Sequence, residues 1–275
     1  MRAPERPREP VVFDLLHREA AVSPPIFGRG YDSSPTMPRL HRRFPFFAAS
    51  TAIFVSSFLL LDRSGLLPQL LLGVASALFL YGFARSSTVP MHQVVAAVII
   101  ATTGEVVLSI GWGLYSYQHN LIPLYVPAGH GIFYLLATES AQQELLRRHA
   151  RAIVGSVLVA GSIIAVVTLV LYGDVWGLLW WIGAAALLSR SRNGLLLATC
   201  VFYTQLLEWL GTALGNWEWT AIVPGIGLRS ANPPSGVGVL YILLDILTVM
   251  TVGFLARAWA QIRKADLPVP ESQEA

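Results

Sequence analysis

His92-Gln93-Val94-Val95-Ala96-Ala97-Val98-Ile99-Ile100-Ala101-Thr102-Thr103-Gly104-Glu105-Val106-Val107-Leu108-Ser109-Ile110 is an unbroken apolar run with a single carboxylate near its far end. At about 1.5 Å per helical residue it reaches about 28 Å, close to the ~30 Å hydrocarbon core of a bilayer. Proline is absent from it, and its few polar residues stand at helical spacing. The run therefore predicts a membrane-spanning helix, with Glu105 inside the membrane.

Comparable runs lie on both sides of it. Together they fall at 44–61, 66–83, 92–110, 121–137, 152–172, 174–189, 194–214 and 237–256. This pattern predicts an all-α fold, a polytopic membrane helix bundle of about eight transmembrane helices. The run at 174–189 is short enough to be re-entrant instead. Composition agrees. The 275 residues are 54% hydrophobic and only 13% charged, with mean hydropathy +0.57 and eight tryptophans. Soluble domains carry about 25% charged residues. Three regions are expected: a cytoplasmic tail over 1–43, a transmembrane domain over 44–260, and a cytoplasmic tail over 261–275. The first tail is read as disordered by composition, with an amphipathic pattern at Val11 to Val22.

Loop charges give the orientation. Twelve basic residues (Arg39, Arg42, Arg43, Arg85, Arg147, Arg148, Arg151, Arg190, Arg192, Arg257, Arg263 and Lys264) fall in one alternating set of segments, and Arg63 and Arg229 in the other. The positive-inside rule makes the first set cytoplasmic. Both termini are then cytoplasmic in a cell (inner) membrane protein, and loops 111–120 and 215–236 are external. The net charge of +3 follows from this one-sidedness. It predicts the lipid bilayer as a partner and no nucleic acid. The single cysteine, Cys200, excludes an intramolecular disulfide.

The third and fourth runs resemble the seventh and eighth. Glu105, Gly111-Trp112-Gly113, Tyr115 and Tyr117 are echoed by Glu208, Gly215-Asn216-Trp217 and Trp219. Pro123 is echoed by Pro224. Gly129-His130-Gly131-Ile132-Phe133-Tyr134 is echoed by Gly236-Val237-Gly238-Val239-Leu240-Tyr241. A tandem repeat of two four-helix halves is expected, both copies running in the same direction and related by an axis along the membrane normal, with a site between them.

Ionisable residues inside a span point to function. Glu105 and Glu208 lie about 8 and 9 Å from the outer ends of their spans, and His130 and Asp245 about 12–14 Å in. Thr102 and Ser109 flank Glu105 at helical spacing, Gln205 and Thr212 flank Glu208, and Tyr241 and Thr248 flank Asp245. The four are expected to meet in one cavity in the outer half of the membrane. Pro123, Pro127, Gly129 and Gly131 predict a broken fourth helix around His130. Glu139 is read as part of a solvated cytoplasmic face. Three readings stay open: hydrogen-bonded helix glue in a structural or assembly subunit, a proton relay in a proton-coupled transporter or flippase, and acid–base chemistry on an apolar substrate. No zinc site is expected, since His130 alone among the six histidines is clearly within the core. No P-loop, dinucleotide-binding glycine motif or nucleophile elbow is present.

The order Glu105, then Gly111 to Tyr117, then Pro123 and Pro127, then Trp217 to Trp219, then Asn232 to Gly236 resembles the carotenoid-biosynthesis hydratases of the bacterioruberin type. The resemblance covers roughly residues 100–250. Trp112 stands where that family has a Phe preceded by Pro, and His130 has no counterpart. The resemblance implies a cofactor-free membrane enzyme that adds water to a terminal double bond of a long isoprenoid or other lipid. Glu105 or Glu208 would then donate the proton, and Asp245 or His130 would assist water capture. Trp112, Tyr115, Tyr117, Tyr134, Gln205, Trp217, Trp219, Asn232 and Tyr241 would line the substrate.

Overall fold

The computed structural model describes residues 39–62 and 65–265. Most of both tail readings, including Val11 to Val22, and Arg63 lie outside them; Arg39 to Arg43 and Gln261 to Ala265, which those readings take in, are helical. The described chain is mostly helical: α1 (Arg39–Leu61), α2 (Leu66–Ser86), α3 (Met91–Glu105), α4 (Tyr125–Gln142), the short α5 (Glu144–Arg148), α6 (Ala150–Tyr172), α7 (Val175–Arg190), α8 (Gly194–Leu214) and α9 (Val239–Ala265). A π-helical turn, Val106–Gly111, continues α3. Two short strands, β1 (Tyr115–Tyr117) and β2 (Trp217–Trp219), complete the set. The described residues from Arg39 to Val249 form one compact unit; the rest of α9, from Met250, belongs to a second and is helical to Ala265.

Among the described residues six helices are long and apolar enough to cross a membrane: Phe44–Leu61, Leu67–Ser86, Met91–Gly111, Ala150–Tyr172, Gly194–Leu214 and Val239–Ile262. That is the architecture of a multi-pass membrane protein. The sixth and fourth apolar runs are also helical, as the 16-residue α7 and the 18-residue α4. Side-chain exposure has the matching sense. In α6 only Ala165 is buried, while Val159, Ile163, Val166 and Val170 are bare. Water would not tolerate such a helix, but lipid tails are as apolar as its side chains.

Two clusters make the core. One joins Phe83, Val94, Ile132, Leu135, Trp181, Leu188 and Ile242 in mid-bundle. The other gathers Phe58, Leu114, Tyr115, Tyr117, Trp217, Trp219 and Val237 beneath the two strands. The loops on the strand side are tied by buried carboxylates. Asp62 accepts from Gln69 Nε2 (2.6 Å), Tyr125 hydroxyl (2.8 Å) and Asn216 Nδ2 (3.1 Å). Asp174 caps α7 through Gly177 N (3.0 Å) and also accepts from the backbone N–H of Ala231 and Ser235, both at 2.9 Å.

Two expectations are corrected. The fourth helix is unbroken: Pro123 precedes it, and Pro127 sits in its first turn, where no intrahelical acceptor awaits its missing N–H. The irregular backbone lies instead in α3, one residue past Glu105. Glu139 is not solvated but 1% exposed. Its Oε1 accepts from the Ser87 hydroxyl and from the N–H (2.9 Å) and hydroxyl (3.1 Å) of Thr88, tying the α2–α3 connection to α4.

Gly236 packs on α7 so closely that a Cβ would overlap the backbone at Gly177 O and Trp181 N. Backbone cannot rotate aside, so Gly236→Ala is expected to destabilise by about 1–3 kcal/mol. Thermal unfolding in detergent checks this, and an unchanged midpoint would mean that the loop does not rest on α7.

Candidate functional site

The strands bring the two aromatic loops together. β1 and β2 pair antiparallel with Tyr115 opposite Trp219, Ser116 opposite Glu218, and Tyr117 opposite Trp217. In both Tyr-Ser-Tyr and Trp-Glu-Trp the middle residue is exposed and the two aromatics are buried, as alternation across a strand dictates. The buried aromatics point back at the carboxylates of the preceding helices. Glu105 Oε2 accepts from the hydroxyls of Tyr115 and Tyr117, each at 2.8 Å. Glu208 Oε2 accepts from the indole Nε1 of Trp217 and of Trp219, each at 2.8 Å.

The spacings differ by one residue. Glu105 precedes its aromatics by 10 and 12 positions, and Glu208 precedes its own by 9 and 11. The π-helical turn absorbs the extra residue, because its wider hydrogen-bonded ring accommodates one more residue than an α-turn. Gly113 and Gly215, at φ 75 and 73, make the reversal into each strand. Each of these glycines stands two residues before the first aromatic of its strand, Tyr115 and Trp217.

The two acids differ at their second oxygen. Glu105 Oε1 meets His130 Nε2 at 2.9 Å, and His130 Nδ1 meets the Tyr241 hydroxyl at 2.8 Å. With Oε2 already taken by two hydroxyls, Oε1 is the acceptor for Nε2–H. That tautomer leaves Nδ1 to accept from Tyr241. Glu208 Oε1 carries no hydrogen bond among the described residues. Both acids face one cavity of about 560 Å³, also lined by His130, Tyr115, Tyr117, Trp217, Trp219 and Tyr241. Below this polar cap its walls are apolar, with Phe54, Phe58, Ile132, Phe133, Leu240 and Leu244 among them. A mostly apolar cavity with a few convergent polar groups is the usual form of a small-molecule site.

The remaining sequence candidates lie elsewhere. Asp245 is buried but does not line the cavity. It sits one turn beyond Tyr241 on α9, so the expected four-way meeting becomes three. Equal depth did not bring it in, because depth says nothing of the direction in which a side chain leaves its helix. Tyr134 accepts from Gln93 Nε2 (2.6 Å), outside the cavity. Trp112 donates to Pro224 O (2.8 Å) and packs edge-on against Trp176. Gln205, with its amide oriented to satisfy both neighbours, donates to Ser235 O and accepts from Trp209. Asn232 Oδ1 accepts from Trp219 N (3.1 Å) and so braces β2. These four hold the frame rather than face the cavity. Among the described residues no group of three or more His, Cys, Asp or Glu is gathered for a metal ion.

Sequence reasoning missed Asp62 and Asp174. Asp174 carried a signal: an aspartate directly before an apolar run is a helix N-cap signature. Asp62 carried none, since two of its partners, Tyr125 and Asn216, are remote in sequence. No family model, no curated protein and no solved structure matches the chain.

Proposed function

We propose that the protein is a membrane enzyme that adds water across a carbon–carbon double bond near the end of an isoprenoid or similar lipid chain. One observation carries this reading: a free carboxyl oxygen, Glu208 Oε1, and a Tyr241–His130–Glu105 chain share one apolar cavity.

Glu208 enters as the acid. Its two indole partners can only donate, so both occupy Oε2 and the transferable proton sits on Oε1. The alkene π pair takes this proton, forming a C–H bond and a tertiary cation and leaving Glu208 as carboxylate. The rings of Tyr115, Trp217 and Trp219 stand in the same wall, where aromatic faces stabilise a cation. A water oxygen then forms the C–O bond. Its proton passes to the Tyr241 oxygen as the Tyr241 hydroxyl proton moves to His130 Nδ1. Glu105, held by two hydroxyls, steadies the imidazolium, as a buried carboxylate does for a catalytic histidine. Return of the proton to Glu208 closes the cycle, so the net change is one water added and no cofactor is consumed.

The repeat reading gives the division of labour an origin. The symmetric strand pair and the matched Glu–aromatic contacts support two halves related by an axis along the membrane normal. At the position equivalent to His130 stands Val237, buried in the cavity wall. One copy therefore gives its acid a base partner, and the other leaves its acid bare.

We further propose eight spans, counting α4 and α7, with both termini cytoplasmic and the strands external. Reporter fusions after Ala275 and within loop 215–236 should report opposite sides; the same side for both would remove the eight-span reading. The chemical reading is tested by mass spectrometry of lipid extracts from cells with and without the protein. A product heavier by one water supports hydration, and identical lipid profiles sink it.

A second reading, a proton-coupled transporter or flippase, has one observation in its favour. Buried Asp245 lies one turn past Tyr241 on α9, and the buried Gln93–Tyr134 hydrogen bond (2.6 Å) adds polar groups nearer the start of α3. Proton uptake by loaded vesicles would distinguish it, since the hydration cycle moves no net charge across the membrane.

A further inference from the structure

We infer that the cavity opens sideways into the bilayer between α3 and α9, and that Gly104 and Gly129 keep it open for an apolar chain entering end first. This deepens the lipid-site reading of the cavity and rests on it.

The walls show where the opening is. Of the described residues lining the cavity, the exposed ones are Ile99, Thr103 and Val107 from α3 and its π-helical turn, and Leu243 and Leu247 from α9. Ile99 is 60% exposed and Leu247 48%. Lining residues from α1, α2, α4, α8 and both strands are buried or half-buried. Steps of four along each helix put each exposed set on one stripe. The two stripes border a single gap.

Depth and chemistry select the visitor. Ile99 lies about 9 Å below Glu105 along α3, and Leu247 about 9 Å below Tyr241 along α9. From Val107, beside Glu105, the gap runs down to Ile99 and Leu247, so its lower part lies away from the strand end, at the level of lipid tails rather than headgroups. Its border is aliphatic apart from Thr103, whose hydroxyl already donates to Ile99 O (2.9 Å). A charged or zwitterionic headgroup would find no partner there and would lose its hydration. An apolar chain end meets no such cost, and once inside it points at Glu208 and Tyr241.

Gly104 and Gly129 are helix-interior glycines that border the cavity, and a Cβ at either would meet nothing within 4 Å. No close helix approach demands them, unlike Gly161 or Gly211, where a Cβ would overlap the ring of Trp181 or Trp217. Glycine weakens a helix relative to alanine. Their evident effect is to leave volume beside Glu105 and His130, so a larger side chain should fill the passage without harming the fold.

The test uses the full chain in phosphatidylcholine vesicles doped with a phosphatidylcholine that carries a diazirine on the terminal carbon of one acyl chain. After irradiation, adducts are mapped by mass spectrometry. Adducts are expected at Tyr241 and Trp219 in the cavity and at Val159 on the outer surface of α6. A probe with the diazirine beside the headgroup should label neither cavity residue. Gly104→Leu and Gly129→Leu should melt no lower than the parent and lose the cavity adducts while keeping the Val159 adduct. Absence of cavity adducts in the parent, their persistence in both leucine variants, or equal labelling by the headgroup probe would each overturn the proposal. Labelling needs no chemistry at the site: cavity adducts without water addition leave the opening intact and remove the hydratase, and water addition without adducts does the reverse.

Discussion

Glu208→Gln is expected to fold and insert normally and to lose activity by about 10²- to 10⁴-fold, the range of positioned acid catalysis. The geometry makes this substitution unusually clean. Both indole N–H groups of Trp217 and Trp219 share the single oxygen Oε2. A glutamine carbonyl keeps both bonds, and its NH₂ occupies the position of Oε1, which has no protein partner among the described residues. Shape, packing and the strand pair survive; only the transferable proton is gone. If Glu208 were merely helix glue, the loss would be near the ~0.6 kcal/mol average of interhelical hydrogen bonds in membranes, a change of about threefold. Water addition measured in membranes, beside a thermal melt of the same variant, separates the two. Glu105→Gln is a different experiment. Glu105 accepts on both oxygens, from two hydroxyls and from His130, so an amide must present N–H to one of these donors. His130 should then turn, and a lower melting point should accompany the loss.

The membrane architecture was readable because its causes are local. Apolar length needs no partner to be interpreted: among the described residues six helices are long and apolar enough to cross a membrane, and the other two apolar runs are helical as well. Glu105, Glu208 and His130 were readable as a group because an ionisable residue inside a span is costly wherever it sits. Their depth could be counted. Direction could not: Asp245 does not line the cavity, and Glu139 meets Ser87 and Thr88, some fifty residues earlier in the chain. The aromatic loops were visible as Tyr-x-Tyr and Trp-x-Trp, yet three residues are too few to declare a strand. Each becomes one only by pairing with the other, across about a hundred positions of sequence. The π-helical turn is hidden for a similar reason. It becomes legible only when the Glu105 and Glu208 segments are superposed and one is found a residue longer. Gly104 and Gly129 look like ordinary helix glycines until the space beside them is known to be empty.

Asp174→Ala is expected to be the most destabilising single change in the strand-side loops, by about 3 kcal/mol or more, because it leaves several buried N–H groups without an acceptor at about 1–3 kcal/mol each. Asp174 is fully buried. Its Oδ1 accepts from Gly177 N and Ala231 N, and its Oδ2 from Ser235 N and, at 3.3 Å, the Thr168 hydroxyl. One side chain thus joins the end of α6, the first turn of α7 and the loop that leads into α9. Asp174→Asn tests the same point more sharply. It preserves volume but replaces an acceptor by NH₂, which then faces an N–H or a hydroxyl whichever way the amide turns. It should recover only part of the lost stability. The functional consequence follows from chain order. Ala231 and Ser235 precede α9, and α9 carries Tyr241, so a released loop should loosen the Tyr241–His130 contact. Limited proteolysis between 229 and 236, followed alongside the melting point, would register the release directly. A variant that melts like the parent and resists cleavage would show that Asp174 does not hold this corner.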